Sequence, residues 1–261
     1  MPSRVLAVLP TLGERLDTLH AAIASVVSQQ REVDIHLVVV LPAAAQQAKK
    51  MAMSAGATVV DDPRRGLSGA MNAGISAASG EEFYVGLGDD DLLRPGGLQH
   101  LLRIADEIPE AVVYYGACDY IDAADRVIGV SRAGRLAAAI LPWGPDLVPH
   151  PGTLIRLEAL NSVGGFDPER RYAMDLDAFL KLRKVGRFVA TRESVAAFRW
   201  HADSLTVAGR AASAKDALEV KKAHLPAWIR PLSHLWLRPI AWATEHAGRA
   251  VNSRARRMAD C

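Results

Sequence analysis

Residues 68–91 read SGAMNAGISAASGEEFYVGLGDDD, and this stretch decides the fold class. Its first part spaces small and apolar residues in the pattern of a helix, bounded by Gly69 and Gly80. EFYVGLG is a short apolar run that predicts a buried strand, and three aspartates follow it directly. A helix that leads into a strand with polar residues at its end is the repeating unit of a mostly parallel α/β sheet.

The same alternation extends toward the N-terminus. Apolar runs and helical spacing predict a strand over 4–10, a helix over 14–30, a strand over 33–41, a helix over 43–57 and a strand over 58–62. This order predicts βαβ units with right-handed crossovers, whose ligands bind outside the carboxyl ends of the strands. Thr11, Asp61, Asp62 and the three aspartates each follow a strand end, so we expect them to share one rim.

From about residue 112 the pattern changes. AVVYYGACDYIDAADRVIGV, residues 111–130, predicts a hairpin or edge strands around a turn at Asp122 to Asp125. A loop then leads to a helix that starts near Ala173. Residues 187–201 predict one or two late strands.

Composition and charge restrict the class of protein. Of the 261 residues, 50% are hydrophobic and 23% are charged, which is typical of a folded core and excludes a disordered chain. The net charge of +2 is uneven, because residues 221–261 hold eight Lys or Arg against two acids (+6), which leaves −4 for residues 1–220. The body is therefore mildly acidic and unsuited to nucleic acid, and only the tail suits an anionic surface.

Cysteine usage and targeting signals indicate a cytoplasmic protein. Cys118 lies in an apolar run and Cys261 is the last residue, so a disulfide framework is not expected. The N-terminal apolar run is too short for a signal peptide, and no run reaches the roughly 18 apolar residues of a spanning helix.

The three aspartates, Asp89, Asp90 and Asp91, allow two interpretations. Two carboxylates at a strand end can share one Mg²⁺ or Mn²⁺ ion, and that ion can grip a diphosphate. Alternatively, the aspartates form an acidic turn that caps the next helix. A turn needs only one aspartate, so the triplet favours the metal without deciding the matter.

A second anion-binding feature precedes the aspartates. In RRGLSGAMNAG, residues 64–74, two glycines allow close backbone approach at a helix N-terminus, where anions are favoured. Asn72 lies one turn into this helix, where it either reaches a ribose or phosphate or remains a solvated helix residue.

Taken together, these segments resemble one family. VLPTLGERLDTLHAAIASVVSQ (8–29) and then DDPRRGLSGAMNAGISAASGEEFYVGLGDDDLLRPGGL (61–98) resemble the nucleotide-sugar-binding half of family 2 glycosyltransferases. PHPGTLIRLEALNSVGGFDPERRYAMDLDAFLKLRKVGR (149–187) resembles the acceptor half of the same family. The resemblance covers about residues 4–207, and the order of its motifs carries it more than any single motif.

The resemblance implies a fold and a division of the chain. The fold is α/β of the GT-A type, with a mostly parallel, Rossmann-like sheet flanked by helices and a C-terminal helical tail. Residues 1–110 form the nucleotide-sugar-binding half, residues 111–210 the acceptor-binding half of the same domain, and residues 211–261 a basic, Trp-rich tail.

The resemblance also assigns roles to residues. Asp89 and Asp91 match the family's Asp-x-Asp metal motif, with Asp90 between them, and the implied ion is Mn²⁺ or Mg²⁺. Asp175 matches the aspartate that acts as general base in inverting members. Three residues match positions near the nucleotide: Thr11, Asp62 and Asn72.

Two positions depart from the family pattern. The family has an Asp at the end of the second strand to hold the base, whereas this chain has Leu41 there, so Asp61 or Asp62 is the candidate substitute. The acidic residue that precedes the general base is replaced by Met174.

Several candidates allow both a functional and a structural role. Asp177 is the rival general base, but it lies two residues after Asp175 on a helix, so only one of the two can face the site. His201 matches a metal-binding histidine of some family members, or is a histidine packed beside Trp200. His150 either contacts a substrate or braces a proline turn. Two further residues, Arg170 and Arg171, either bind a diphosphate or form a solvated pair on a loop.

The tail suggests a membrane surface. Three of the five tryptophans are interleaved with arginines in residues 225–257, a composition suited to the headgroup region of an anionic membrane. A helix packed on the body, or a dimer contact, fits the same pattern. We expect a cytoplasmic protein with peripheral contact at the inner face of the plasma membrane.

These patterns predict a metal-dependent inverting glycosyltransferase. It would transfer a sugar from a nucleotide diphosphate sugar to a glycan or lipid-linked acceptor, in cell-envelope polysaccharide synthesis. One alternative is a sugar nucleotidyltransferase, although LPTLGERLD lacks the glycine-rich, basic loop that such enzymes carry after the first strand. A second alternative is a catalytically degenerate scaffold that binds nucleotide sugars.

Overall fold

A computed structural model describes residues 4–132, 134–200, 210–237 and 239–240. The strands of this part of the chain are β1 Val5–Pro10, β2 Ile35–Leu41, β3 Thr58–Asp61, β4 Phe83–Gly86, β5 Leu92–Leu93, β6 Ala111–Ile121, β7 Val127–Ser131, β8 Leu154–Arg156 and β9 Arg187–Arg199. The helices are α1 Leu16–Val27, α2 Gln46–Ser54, α3 Gly66–Ile75, α4 Gly97–Glu107, α5 Ala137–Ile140, α6 Leu157–Ser162, α7 Met174–Leu182 and α8 Arg210–His224, with 3₁₀ turns at Ser28–Arg31 and Arg230–Ser233.

The strands form one mixed sheet in the order β3-β2-β1-β4-β8-β6-β9-β5, and β7 pairs with β6 at its side. The first four strands in this order are parallel, as the alternating pattern predicted. β8 runs antiparallel to both β4 and β6, β6 and β9 are parallel, and β5 is antiparallel to β9. The N-terminal half is therefore Rossmann-like, and the sheet continues into the C-terminal half through β8.

The central strand β1 explains why the core has two layers. All six of its residues are buried, and alternate side chains point to opposite faces of the sheet. Val5, Ala7 and Leu9 pack in a core with α1, α2 and α4. Leu6 and Val8 pack in a second core with α3, α6 and α7. Helices thus cover both faces of the strand, which is why its sequence is apolar throughout.

The predicted hairpin is confirmed, and among the described residues β7 is its edge strand, whereas β6 is internal to the sheet. β6 and β7 are antiparallel and joined by a turn in which Asp122 accepts hydrogen bonds from the N–H groups of Ala124 and Arg126, both at 2.9 Å. β6, however, pairs with β8 and β9 as well. These partners are remote in sequence, so the apolar run alone did not show that β6 is internal.

Helix α3 begins at Gly66, three residues before the predicted boundary at Gly69. Gly74 lies inside this helix against Val8 of β1, and a Cβ at position 74 would overlap the Val8 side chain. The glycine therefore lets α3 approach the sheet closely, which brings the N-terminus of α3 to the strand ends.

Helix α8 packs across α7 and holds its start. The Asp216 carboxylate accepts the backbone N–H groups of Tyr172 and Ala173 at 3.0 and 3.1 Å, just before α7 begins. These N–H groups otherwise lack partners at a helix start, so a residue more than 40 positions away fixes the beginning of α7. Within the described residues, no helix has the length and apolar character needed to cross a bilayer.

Candidate functional site

Two adjacent parallel strands end at the centre of the site. Val8 of β1 lies opposite Gly86 of β4, so Thr11 and Asp89 follow neighbouring strand ends. Thr11 Oγ1 donates a hydrogen bond to Asp89 Oδ2 at 2.6 Å. The structure therefore brings these two predicted site residues together, as expected for residues beyond the carboxyl ends of parallel strands.

Arg15 also belongs to this rim, although the sequence did not single it out. Its Nη2 lies 2.5 Å from Asp89 Oδ1, and its Nη1 lies 2.6 Å from Asp90 Oδ2. Its position in the sequence could have indicated this role, because Arg15 lies only five residues after the end of β1. Since a guanidinium can span two carboxylates, one side chain neutralises part of the charge on both.

Asp91 is directed toward the other side of the cluster. Its Oδ1 accepts the backbone N–H of Arg199 at 3.0 Å, at the end of β9. The Arg199 side chain donates from Nε to the Asp90 carbonyl at 2.9 Å and from Nη1 to the Asp122 carbonyl at 2.9 Å. Arg199 thus ties the aspartate turn to β9 and to the β6–β7 turn, a role that the sequence did not reveal.

Negative charge exceeds positive charge at the aspartate turn. Asp91 is buried, and desolvation together with the charges of Asp90 and Asp89 raises its pKa to about 8. Burial also raises the pKa of Asp89, even though Thr11 and Arg15 act in the opposite direction. The turn is therefore short of cationic charge.

A divalent cation fits this turn. Carboxylate oxygens are hard ligands of the kind that Mg²⁺ and Mn²⁺ prefer, and the buried carboxylates call for additional positive charge. In the described part of the chain, no three His, Cys, Asp or Glu side chains are arranged to hold a metal ion. The third predicted ligand, His201, lies outside the described residues. The assignment of Asp89 and Asp91 as metal ligands stays a prediction.

Asp62 lies beside the position where the family pattern has its base-binding aspartate. Its backbone N–H donates to the Leu41 carbonyl at 2.9 Å, and its Oδ1 accepts the N–H of Arg64 at 2.8 Å. The carboxylate therefore lies at the end of β2, in a local turn. This placement makes Asp62 available to take over the role of the aspartate that Leu41 replaces.

Asn72 holds a loop against α3. Its Nδ2 donates to the Phe166 carbonyl at 2.6 Å, and its Oδ1 accepts the Phe166 N–H at 3.0 Å. Both ends of the amide are thus used by the Gly-Gly-Phe-Asp loop. One N–H and one oxygen lone pair of the amide are not used by these two bonds, and the nucleotide contact predicted from the sequence stays a prediction.

Asp175, the predicted general base, is partly exposed in the first turn of α7. Its Oδ1 accepts the N–H of Leu176 at 2.8 Å. Burial raises the pKa of the Tyr84 phenol on β4, and the negative charge of Asp175 raises that pKa further. The aspartate turn follows β4, whose Tyr84 packs in the same core as residues of α7. That Asp175 and the aspartates act on one substrate stays a prediction.

Asp177, the rival base, points to a different neighbour. It is buried, with His224 Nε2 at 2.8 Å and Lys181 Nζ at 2.7 Å. Burial alone would raise the pKa of Asp177, but the bonds from His224 and Lys181 outweigh it and lower the pKa. Asp177 thus contributes to packing α7 against α8, and the choice of Asp175 as general base stays a prediction.

The loop between α5 and β8 supplies two further groups near Asp175, namely Asp146 and His150. Asp146, which the sequence did not single out, reaches solvent on one side, and desolvation and the charge of Asp175 raise its pKa. The Lys221 ammonium lowers the pKa of Asp146 and donates to the Gly144 carbonyl at 2.5 Å. This loop thus brings a second carboxylate near Asp175, at a site where Met174 replaces the family's adjacent acid.

His150 lies over the end of β4. Its ring meets Phe166 edge to face at a centroid distance of 5.6 Å, and a Cβ at Gly86 would come within 2.6 Å of its Cε1. Its Nε2 is buried and has no hydrogen-bond partner within the described residues. Burial lowers the pKa of His150, so the ring is neutral near pH 7. It therefore supplies no positive charge to offset the Asp175 carboxylate.

The remaining candidates have structural partners. Met174 is buried and its sulfur accepts the Ser68 hydroxyl at 3.2 Å. Arg170 pairs with Asp216 at 3.4 Å, and the Arg171 guanidinium lies over the Tyr172 ring at 5.5 Å from its centroid. The diphosphate role considered for the two arginines stays a prediction.

Comparison with known proteins identifies the family. The model of glycosyl transferase family 2 matches residues 7–162. No curated protein sequence matches the chain. Among solved structures, TarS 1–349 of S. aureus in complex with UDP-GlcNAc has a TM-score of 0.65 at 16% identity, over 85% of this chain and 65% of that one. This chain spans only 39% of the longer TarS structure.

Two further structures show the same fold. The mannosyltransferase PcManGT from Pyrobaculum calidifontis, in complex with GDP-Man and Mn²⁺, has a TM-score of 0.65 at 20% identity, over 96% of this chain and 76% of that one. The glucosyl-3-phosphoglycerate synthase from Mycobacterium tuberculosis, with Mn²⁺, UDP and glucosyl-3-phosphoglycerate, has a TM-score of 0.58 at 20% identity, over 84% and 80%. These relatives confirm the predicted GT-A fold. With the family model matching more than half of its length, the chain belongs to glycosyl transferase family 2.

Proposed function

We propose that this protein is a metal-dependent inverting glycosyltransferase that uses a nucleotide diphosphate sugar as donor. The observation that carries the proposal is the pairing of two features across the end of β4. A buried aspartate turn with too little positive charge follows the strand, and the Asp175 carboxylate lies on the side of the acceptor half. The complexes of TarS with UDP-GlcNAc and of PcManGT with GDP-Man and Mn²⁺ support a donor of this class.

Asp89 and Asp91 would hold Mn²⁺ or Mg²⁺, which supplies positive charge to a departing nucleoside diphosphate. Arg15 lies at the same rim and offers a second cation for the diphosphate once it releases a carboxylate. Asp62, which follows β3 and hydrogen-bonds to Leu41 at the end of β2, would contact the base or ribose in place of the missing aspartate.

Asp175 would accept the proton of the attacking hydroxyl group. The new glycosidic bond forms between the acceptor oxygen and the anomeric carbon while the bond from that carbon to the diphosphate oxygen breaks. The proton goes to Asp175 and the electron pair to the nucleoside diphosphate. Because base and leaving group lie on opposite sides of the sugar, attack is in line and the anomeric configuration inverts.

Two substitutions test this mechanism. The measurement is donor hydrolysis and transfer with Mn²⁺ or Mg²⁺, using a panel of nucleotide sugars. We expect Asp91→Ala to weaken metal-dependent donor binding, and Asp175→Asn to slow transfer while donor binding is kept. Full activity in both variants would contradict the mechanism. Metal-dependent donor binding without turnover on any acceptor would favour a binding module.

We also propose a place of action. The acceptor is a glycan or a lipid-linked saccharide of the cell envelope, and the enzyme works in the cytoplasm with peripheral contact to the plasma membrane through residues 225–257. The excess of basic residues in 221–261 supports this contact. Cell fractionation of the full chain, with and without high-salt washing, tests it.

A further inference from the structure

Exposed apolar side chains concentrate in two segments of the described chain, 136–147 and 228–235. Trp228 and Leu136 expose 78% and 74% of their surface. The full set in these segments is Leu136, Ile140, Trp143, Leu147, Trp228, Leu232 and Leu235. Exposed apolar residues scattered singly need no explanation, whereas a cluster marks an interaction surface.

The fold joins these segments into one surface. The rings of Trp143 and Trp236 lie 5.9 Å apart, and Lys221 of α8 donates to the carbonyl of Gly144. Leu225 and Leu237 are buried on the inward side of the second segment. Residues 226–237 therefore pack one side against the body and turn the other outward beside residues 136–147. We call the seven exposed side chains the apolar surface.

The charges in and beside the apolar surface are mainly positive. Residues 132–147 and 226–237 contain Arg132, Arg135 and Arg230, all exposed, against the single acid Asp146. Tryptophan together with arginine suits the headgroup region of a bilayer, where the ring is half buried and the guanidinium meets anionic lipid. In a symmetric dimer through this surface, each patch would face its own copy, and the arginines of the two copies would repel one another.

The apolar surface continues into the site. The loop that carries Trp143 and Leu147 also carries His150, whose ring lies against Gly86 at the end of β4. We infer that the apolar surface docks on an anionic phospholipid bilayer and holds the Asp175 side of the cleft toward that bilayer. The acceptor would then be a saccharide whose lipid anchor stays in the membrane. This assignment rests on the proposed function, and the docking extends the membrane contact proposed there to residues 136–147.

The test of docking is co-sedimentation of the full chain with vesicles of phosphatidylcholine, with or without phosphatidylglycerol. We expect binding to the anionic vesicles and roughly tenfold weaker partitioning for each large apolar side chain removed. One variant carries Trp228→Ser and Leu235→Ser, and the other Trp143→Ser and Leu147→Ser. The matched control carries Met53→Ser and Val185→Ser, which remove exposed apolar side chains on α2 and after α7.

The outcomes separate docking from catalysis. Loss of vesicle binding in both surface variants, with donor binding and donor hydrolysis unchanged, supports the inference whatever the acceptor is. Vesicle binding that matches wild type in either variant, or that falls equally in the control, overturns it. A wild-type dimer that becomes a monomer in both surface variants in analytical ultracentrifugation, without vesicle binding, assigns the surface to a second copy and also overturns it.

Discussion

Arg15 and Asp89 form an ion pair at the rim of the site, with 2.5 Å between Nη2 and Oδ1, and the same guanidinium reaches Asp90 at 2.6 Å. A divalent cation on Asp89 must therefore compete with Arg15 for the carboxylate. The proposed metal site would therefore bind its ion in exchange for the Arg15 guanidinium.

Replacing Arg15 by Gln is expected to strengthen Mn²⁺ binding in the absence of nucleotide. The gain should be about two- to fivefold, because a partly exposed ion pair is worth on the order of 1 kcal/mol or less. Calorimetry or the EPR signal of free Mn²⁺ measures the affinity. Arg4→Gln is the matched control, since Arg4 pairs with Glu82 and Asp106 at the opposite end of β1. An unchanged Mn²⁺ affinity in Arg15→Gln would contradict the competition.

Asp175→Asn and Asp177→Asn should have opposite effects. Loss of a general base is expected to slow transfer by about 10²- to 10⁴-fold with little change in melting temperature. Loss of the Asp177 carboxylate leaves His224 and Lys181 without their partner, and should cost about 1–3 kcal/mol of unfolding free energy with transfer largely kept. Steady-state kinetics and urea denaturation of both variants check this. A reversed pattern would make Asp177 the base.

The contribution of Asp177 to stability should depend on pH. Its pKa is lowered in the folded state, so its stabilising effect is present above the unfolded pKa of roughly 3.9 and is lost as pH falls through the lower folded pKa. The difference in unfolding free energy between wild type and Asp177→Asn should therefore be constant near neutral pH and shrink in acid. Urea titrations at a series of pH values measure it, and a difference that grows in acid would contradict the ion-pair account.

His150→Phe should separate stability from activity. The aromatic ring keeps the contact with Phe166 and removes a buried nitrogen that lacks a partner in the described chain, so stability should stay the same or rise by about 1 kcal/mol. Transfer should fall about tenfold if the imidazole orients a substrate hydroxyl group beside Asp175. Thermal melting and kcat/KM report the two effects. Unchanged transfer would assign His150 to packing alone.

Asn72→Ala should loosen the loop at Phe166. The variant loses two hydrogen bonds between α3 and the loop, at an expected cost of about 1–3 kcal/mol. Ser76→Ala on the same helix is the control, because its hydroxyl bonds only to the exposed Asn72 carbonyl and should matter by less than about 1 kcal/mol. Urea denaturation compares the variants, and hydrogen exchange at Phe166 should rise only in Asn72→Ala.

Local pattern was sufficient for the first half of the fold. The parallel order of β1, β2, β3 and β4 follows from alternating strand and helix signals, and that order alone brings Thr11 and Asp89 to one rim. The interior position of β6 did not follow, because its partners β8 and β9 are chosen by pairing between remote segments. The apolar run of β6 fits an internal strand and a buried edge strand equally well.

The residues of the site also divide into those that the sequence indicated and those that it did not. The position of the three aspartates after a strand made them candidates from residue type alone, whereas Asp175 was singled out by the resemblance to the family. The sequence did not predict Arg15 or Asp146. Arg15 reaches the aspartates through a long side chain and Asp146 lies on a loop, so the spacing of neighbouring residues does not indicate either of them. The packing role of Asp177 was evident only from α8, whose Asp216 and His224 hold α7 in one orientation.

The sequence by itself determined the order of the elements, the family, and the carboxylates placed at strand and helix ends, because these depend on neighbours within a few residues. Only the tertiary structure showed that Asp177 pairs with His224, that Arg15 pairs with Asp89 and which apolar side chains of the described residues are exposed. Those outcomes depend on contacts between segments up to a hundred residues apart, whose geometry is set by packing and not by periodicity.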